Sequence, residues 1–436
     1  MSSFVLKGDI CFTPSPNELL TYKDSYIVCD NGVTAGVFST IPKEYDSLPL
    51  SDYSGMLIIP GLVDLHIHAP QFEFRGTGMD YELLLWLKLR AFPCEEKYAD
   101  TAYAEKAYDI FADRMKRSAT THAVIFATVH RKSTQLLMDK MEETGIVSFV
   151  GKVNMDRNAP SSLLEEGVDE TEKWLLESAG RYKRTFPVIT PRFAPSCTPE
   201  LMDSLGVLRR KYGLFVQSHL SENPDEVEWV RKICPEGDFY GDVYHKHGLF
   251  GADSEKGLSY KTVMAHCVYS QEREAELMKK NGVFVAHCPA SNANLRSGIA
   301  PIRKYLDMGL KIGLGSDVAA GQSESMLRAV CDTVQMSKLY NRLVDPTASP
   351  LTFTEAFYLA TKGGGEFFSE INGGVPAGTF EKGGKFSAVV IDDMAVPCPE
   401  ELTAAERLQC AAYLGADISG IKAKYADGET QWSINL

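Results

Sequence analysis

The feature that most constrains the fold is an alternation of short apolar runs with longer amphipathic segments. Eight runs occur in the middle of the chain: Met56–Leu65, His122–Val129, Ile146–Val153, Val188–Phe193, Leu214–Ser218, Thr262–Ala265, Val283–Ala286 and Lys311–Leu314. Segments with helical spacing lie between them, among them Ala102–Arg117, Asp225–Ile233, Gln271–Lys280 and Ser323–Tyr340. Alternating strands and helices indicate an α/β fold with a parallel sheet, and eight repeats are typical of a closed (β/α)8 barrel of the TIM type. A doubly wound open sheet would give the same alternation.

The two ends of the chain carry a different pattern. Each has β-type runs beside a turn dipeptide: Tyr26–Cys29 and Val33–Phe38 around Asn31-Gly32, and Ile421–Tyr425 before Asp427-Gly428. Such dipeptides are strong hairpin signals, but one hairpin cannot bury a face alone. We therefore expect both ends to build one small β-sandwich-like domain. The predicted division is 1–59 and 371–436 for this domain and 60–370 for the catalytic barrel.

Bulk properties narrow the class of partner. The chain has 58 acidic and 45 basic residues, a net charge of −13, which repels a phosphate backbone and argues against polymeric nucleic acid. The ten cysteines form no C-x-x-C pair, so we expect neither a disulfide framework nor a zinc ribbon. Met1 to Phe12 lacks the apolar block of a signal peptide, and no stretch has the length of a membrane span. We expect a cytoplasmic protein that acts on a small molecule.

Histidines and one aspartate stand at the ends of the apolar runs. His66 and His68 alternate along the first run, so both side chains project to one side. His219, His266 and Asp317 follow the fifth, sixth and eighth runs. In a barrel these ends share one rim, whereas in an open sheet strands one, five, six and eight would not meet. The convergence therefore favours closure.

These residue types suit metal-assisted hydrolysis. Imidazole and carboxylate are ligands for zinc, and a catalytic zinc activates a bound water. Glu222, three residues after His219, is a candidate general acid/base, and Asp317 could ligate the metal and accept a proton. Each has a plainer interpretation: Glu222 as a solvated loop carboxylate beside Asp225 and Glu226, and Asp317 as a helix N-cap.

Other polar residues receive weaker assignments. Asp64 alternates with His66 and His68 along the same run, so its side chain lies on their side and is a candidate for orienting them. His287 is a candidate for supporting the site. The remaining histidines are predicted to have no catalytic role: His122 and His130 as structural residues, and His245 and His247 as surface residues of a polar loop.

At these positions the chain resembles the amidohydrolase superfamily and, within it, the guanine deaminase branch. The superfamily pattern is matched in order by His66-x-His68, His219, His266 and Asp317. The narrower resemblance is carried by four segments: Pro60–Pro93, Pro191–Pro195, Ser218–Glu222 and His287–Gly298. It covers essentially the whole chain.

The resemblance implies a set of site residues. A single zinc per chain would be bound by His66, His68, His219 and Asp317, with iron left open. His266 would bind it weakly or hold the catalytic water. Arg192 stands where binuclear relatives carry a bridging lysine. Gln71, Arg192 and Phe193 would hold a purine, and the guanidinium has donors suited to O6 and N7 of guanine. Phe193 could stack on the ring or be a core aromatic.

The implied activity is purine catabolism: hydrolytic deamination of guanine to xanthine and ammonia by a zinc-activated water. Glu222 would carry the water's proton to N3, Asp317 would assist the second transfer, and His266 would steady the oxygen. A homodimer is expected. The alternatives are an aminohydrolase for another purine, a pterin or a triazine, and an inactive scaffold or binding protein. One departure, Gly384-Lys385-Phe386 where relatives place an Asp after Gly-Lys, is expected to concern only the small domain.

Overall fold

The computed structural model describes residues 2–252, 260–393 and 401–433, so part of the predicted C-terminal segment lies outside it. The strands are β1 Phe4–Ser15, β2 Glu18–Asp30, β3 Val33–Phe38, β4 Leu50–Pro60, β5 Leu62–His68, β6 Thr120–Phe126, β7 Val147–Gly151, β8 Val153–Asn154, β9 Thr185–Pro187, β10 Thr190–Pro191, β11 Val216–Leu220, β12 Thr262–His266, β13 Phe284–His287, β14 Lys311–Leu314, β15 Ala388–Ile391, β16 Ile421–Ala426 and β17 Glu429–Ser433. The helices are α1 Leu83–Trp86, α2 Phe92–Glu96, α3 Thr101–Arg117, α4 Arg131–Thr144, α5 Asp169–Ser178, α6 Pro199–Tyr212, α7 Pro224–Ile233, α8 Tyr240–Lys246, α9 Glu272–Asn281, α10 Pro289–Asn294, α11 Ile302–Met308, α12 Met326–Leu343, α13 Phe353–Tyr358, α14 Ala404–Leu414 and α15 Ala416–Ser419.

The central strands are parallel and follow one another around a ring. Strands β5, β6, β7 and β9 form one sheet, and β11 to β14 form another. Backbone hydrogen bonds join the sheets on both sides: Ile189 N to Phe215 O at 3.0 Å and Gln217 N to Ile189 O at 3.0 Å, and Asp317 N to His66 O at 2.8 Å and His68 N to Val318 O at 3.1 Å. The carboxyl ends of β5, β11, β12 and β14 therefore lie on one side of this ring, which we call the rim.

An aromatic cluster fills the interior toward the opposite end. The Phe367 ring lies 5.6 Å from Phe149, 5.3 Å from Phe215 and 5.3 Å from Phe284. Phe215 and Phe284 stand at the amino ends of their strands, so the cluster is a packed core. It leaves the rim as the accessible side of the ring.

The first apolar run differs from its prediction as one strand. Its first half belongs to β4 in the terminal sheet, and its second half begins β5 in the ring. Gly61 separates the two, because a Cβ there would lie 2.1 Å from Oγ1 of Thr121 in β6. Only glycine lets the chain pass so close while it crosses from one sheet to the other.

The two ends of the chain share a single seven-stranded sheet with the order β17-β16-β15-β4-β1-β2-β3. Both predicted hairpins are confirmed. Their central residues are left-handed, with φ of 51° at Asn31 and 79° at Gly32, and 53° at Asp427 and 73° at Gly428. Two successive positive φ angles define the type I′ turn that matches strand twist.

This sheet curls on itself instead of forming two facing layers. The Phe4 ring of β1 lies 5.1 Å from Tyr425 of β16, although two strands separate β1 from β16 in the sheet. Phe386 packs edge-on against Phe4 at 5.3 Å. The curled face thus supplies its own apolar core, and the departure noted at Phe386 belongs to that core.

The four amphipathic segments form α3, α7, α9 and α12. Side-chain caps mark several starts, as where Asp100 accepts the backbone N–H of Ala102 at 2.9 Å. Among the described residues, no helix is both long enough and apolar enough to cross a membrane.

Candidate active site

Three imidazoles and a carboxylate converge at the rim. Nε2 of His68 lies 3.2 Å from Nε2 of His66 and 3.2 Å from Nε2 of His219. Oδ1 of Asp317 lies 3.2 Å from Nε2 of His66 and 3.5 Å from Nε2 of His68. Ligands of a tetrahedral zinc with bonds of 2.0–2.1 Å stand about 3.3 Å apart. The donor set therefore fits one metal ion at its centre.

Their surroundings favour the neutral form of the imidazoles, which is the form that can bind a metal ion. Burial lowers the pKa of both His68 and His219 well below the usual range, and the neighbouring His66 lowers both further. Nδ1 of His219 donates to the carbonyl oxygen of Arg192 at 2.6 Å. With the proton on Nδ1, the Nε2 lone pair of His219 points to the cluster.

Asp64 acts through the backbone and not on the rings that it was predicted to orient. Its Oδ1 accepts the N–H of His66 at 3.1 Å and that of Ser316 at 3.0 Å, and its Oδ2 accepts the Ser316 hydroxyl at 2.6 Å. Burial raises the pKa of Asp64 to about 6. The carboxyl group ties β5 to the loop that carries Asp317, so both ligands keep their separation.

His266 stands beside this cluster, on the side of Glu222. Its Nε2 lies 3.8 Å from Oδ2 of Asp317 and 3.4 Å from Oε2 of Glu222. Its Nδ1 contacts Oδ1 of Asn292 at 2.9 Å, and among the described residues its buried Nε2 has no hydrogen-bond partner. Asn292, and not His287, thus supports this ring. The geometry suits either role predicted for His266.

Several backbone positions at the rim are left-handed without being glycine. The φ angle is 48° at Ser221, 73° at His266, 51° at Cys267 and 46° at Asp317. Such residues cost about 1–3 kcal/mol each and concentrate at functional sites. Asp317 begins no helix, so the N-cap interpretation is wrong.

Glu222 is a buried carboxyl group and not a solvated one. Ser297 Oγ donates to its Oε1 at 3.0 Å. Burial, and then the charge of Asp317, raise the pKa of Glu222 to about 8. Burial alone would raise the pKa of Asp317, but His66, His266 and a hydrogen bond with Ser291 together bring it to about 2. Their surroundings thus push the pKa values of these two neighbouring carboxyl groups far apart, as is typical of a pair with separate acid and base roles.

Glu226, to which the sequence analysis assigns no role, is buried beside Glu222. Its Oε2 accepts the backbone N–H of Glu222 at 2.9 Å and that of Asn223 at 3.2 Å, and the Tyr240 hydroxyl donates to Oε1 at 2.6 Å. With the Asn223 side chain it forms the capping box of α7. Burial, and then the charge of Glu222, raise the pKa of Glu226 to about 7. It fixes the loop from which Glu222 reaches the site.

The cluster opens into a small cavity at the rim. Its lining combines polar groups with the apolar side chains of α1 and neighbouring loops: His68, Gln71, Leu83, Trp86, Leu87, Arg192, Phe193, His219, Glu222, Glu226, His266, Leu295, Asp317 and Ala320.

The three residues predicted to hold a purine all line this cavity. Arg192 pairs through Nη1 with Oε2 of Glu95 at 2.5 Å, and Gln71 donates through Nε2 to Oε1 of Glu95 at 2.9 Å. Sequence reasoning missed Glu95. The available signal was the acidic pair Glu95-Glu96 directly after the mostly apolar stretch Leu83–Cys94. Phe193 is buried, with its ring 6.2 Å from Trp229.

The other histidines lie apart from the cluster. His122 is buried and bonds Thr121 Oγ1 through Nδ1 at 2.9 Å. His247 was predicted to be a surface residue, but it is mostly buried and bonds Asp203 at 2.7 Å. The H-x-H spacing of His245 and His247 falls at the end of α8, where it does not align two rings.

Comparison with known proteins agrees with this geometry. The model of the amidohydrolase family matches residues 57–423. A guanine deaminase of Dictyostelium discoideum is 37% identical over 406 residues, which cover 91% of this chain and 85% of that protein. A guanine deaminase of Escherichia coli is 35% identical over 398 residues, covering 89% and 86%.

A solved structure of guanine deaminase from C. acetobutylicum, with guanine bound in its active site, is 41% identical and superposes with a TM-score of 0.93. The match covers 98% of this chain and 100% of that one. The chain therefore belongs to the amidohydrolase family and, within it, to the guanine deaminases.

Proposed function

We propose that this protein hydrolyses guanine to xanthine and ammonia. One observation carries the proposal: the metal-ligand cluster, the buried carboxyl of Glu222 and the Arg192–Gln71 pair all line a single cavity. The guanine-bound relative supports the same substrate. An inactive scaffold would have no need for a complete ligand set beside a buried acid/base.

We further propose that the hydrogen-bonded ring is the (β/α)8 barrel of a catalytic domain at 60–370, with 1–59 and 371–436 forming the small domain. The ring of parallel strands and the separate terminal sheet support this division.

The metal ligands proposed are His66, His68, His219 and Asp317, and their spacing suits one zinc per chain. A zinc ion bound there would lower the pKa of a coordinated water to about 7, which supplies the nucleophile at neutral pH. His266 stands where it could hold that water against Asp317.

The side chains then move the protons. Water's oxygen forms a bond to C2 while Glu222 takes one water proton and delivers it to N3. Asp317, held ionised beside His66, accepts the second proton and returns it to the departing amino group. The C2–N bond breaks, ammonia leaves and xanthine remains. His266 would steady the oxygen on which charge develops.

The purine would be held by three residues of the cavity lining. Arg192 would donate to guanine acceptors, Phe193 would lie against the ring, and Gln71 would contact the edge beside the metal cluster. Adenine carries an amino group at position 6, which meets the Arg192 donors with donors of its own. Sites built on such bonds reject the mismatched analogue by about 10⁴–10⁵ in kcat/KM.

The test is a panel of substrates given to the purified protein, with turnover of each measured as ammonia release. Guanine should be turned over, and adenine, a pterin and an aminotriazine should give negligible rates. Adenine turnover equal to that of guanine would refute the guanine-specific assignment and leave only the broader aminohydrolase class. Homodimer formation and a cytoplasmic location stay predictions, to be checked by light scattering on the purified protein and by fractionation.

A further inference from the structure

Glu95 bridges two polar residues that line the cavity together with the metal cluster. Its Oε2 accepts from Arg192 Nη1 at 2.5 Å, and its Oε1 accepts from Gln71 Nε2 at 2.9 Å. All three residues are at most 2% exposed. A buried ion pair of this kind is costly to build, and breaking it leaves an uncompensated charge. The bridge therefore holds both partners firmly.

The bridge determines which end of the Gln71 amide faces the ligand. A carboxylate paired with a guanidinium can only accept hydrogen bonds, so the amide must turn its NH₂ group toward Glu95. Gln71 Oε1 is then turned away from Glu95, and it accepts from the backbone N–H of Ala319 only at the long distance of 3.4 Å. Gln71 thus offers the ligand an acceptor.

The same bridge orients Arg192. A guanidinium has five N–H donors in a planar fork, and Glu95 engages it through Nη1. Among the described residues Glu95 is the hydrogen-bond partner of this guanidinium, so the remaining N–H groups are available toward the cavity. Donors of Arg192 and an acceptor of Gln71 therefore stand side by side on one wall.

We infer that Glu95 is a positioning residue that sets substrate specificity. By orienting Arg192 and Gln71, it makes this wall of the cavity select a ligand edge that carries an acceptor beside a donor. The inference rests on the proposed function, because it assigns that wall to the O6 and N1–H edge of guanine. O6 would accept from Arg192, and N1–H would donate to Gln71 Oε1. A 6-amino purine presents the reverse pattern, a donor beside the acceptor N1, and meets the wall with two mismatches.

The probe for this inference is 2,6-diaminopurine. It keeps the reacting 2-amino group of guanine but reverses both groups on the edge in question. Each buried mismatch weakens binding by roughly 10-fold or more, so guanine should bind about 100-fold more tightly than 2,6-diaminopurine. A decrease in this ratio of binding affinities would reflect a change in the contacts made by Arg192 and Gln71, and not a change in the reaction at C2.

The experiment measures binding of both purines from the change in Trp86 fluorescence on rapid mixing with the metal-loaded Glu222→Gln protein, in which turnover is slowed by about 10²–10⁴. Glu95→Gln keeps the size of the side chain but adds a donor, so the Gln71 amide is free to flip. We expect the binding ratio to fall about tenfold, with metal content unchanged. Glu96→Gln is the matched control: the same substitution, in the same helix, on a side chain that contacts Ser162 instead of the cavity. It should change the ratio less than twofold.

A second variant guards against misfolding of Glu95→Gln. Gln71→Ala removes the acceptor directly and should lower the ratio by itself; adding Glu95→Gln to it should then lower the ratio less than in the presence of Gln71. An unchanged ratio in a folded Glu95→Gln protein, or fully independent effects of the two substitutions, would overturn the inference. Failure to release ammonia from guanine would instead count against the proposed function, and the binding ratios would still decide the role of Glu95.

Discussion

The rim and the curled terminal sheet are built in opposite ways. The rim buries carboxyl groups such as Glu95, Glu222 and Asp317 and holds non-glycine residues in left-handed conformations. The terminal sheet buries aromatic rings, among them Phe4 and Phe386, and its hairpins use turn residues suited to their dihedral angles. Buried polar groups and strained backbone oppose stability, whereas apolar burial supplies it. Activity and stability are therefore concentrated in different parts of this molecule.

Removing one ligand should test the rim most severely. His66→Ala deletes one of the four donors that the spacing assigns to a metal, so metal content and guanine turnover should be lost together. Elemental analysis and ammonia release would be measured on the same preparation. Full activity in metal-stripped wild-type protein would refute the hydrolytic mechanism.

Glu222→Gln should reduce turnover by about 10²–10⁴ while metal content stays intact, because the amide keeps its contacts but cannot carry a proton. The matched control is Glu228→Gln in the same helix region, where the carboxylate is exposed and pairs with Arg231. Steady-state kinetics on guanine would separate the two. Normal turnover of Glu222→Gln would show that another group transfers the proton.

Arg192→Ala should affect both activity and stability, since the Arg192 side chain lines the cavity and neutralises Glu95. Loss of one or two charged hydrogen bonds at about 1.5–3 kcal/mol each lowers kcat/KM for guanine. The unpaired buried carboxylate of Glu95 should also reduce the free energy of unfolding by about 3–5 kcal/mol. Arg231→Ala, in an exposed pair, should change neither by much. Unaltered guanine kinetics in Arg192→Ala would contradict the substrate assignment.

Phe386→Ala should give the smallest change in catalysis. It removes a fully buried ring from the terminal core and should lower the free energy of unfolding by about 3–5 kcal/mol. Because the ring lies in the terminal core and not at the rim, kcat/KM of the folded protein should stay within about twofold. Denaturant unfolding and kinetics on one preparation would check both. A large loss of kcat/KM at unchanged metal content would show that the two regions are coupled.

The prediction from sequence was strongest where a local rule applies. Alternation along a strand places His66 and His68 on one side, and Asn31-Gly32 demands a tight hairpin, whatever surrounds them. The histidines that follow the strands could be predicted to lie close together because the carboxyl ends of parallel strands share a rim. Family resemblance then supplied candidate roles for Gln71 and Arg192.

The order of elements, the hairpins and the positions of the candidate ligands follow from spacing along the chain and could be predicted from it. Which polar residues are buried, and with which partners they pair, becomes visible only in the folded structure. Glu226 and His247 lie in polar stretches, yet packing encloses both, and Glu95 meets Arg192 across 97 positions of the chain. Burial and pairing depend on neighbours that are distant in sequence. No local pattern contains them, and they set the pKa of Glu222 and the orientation of Gln71.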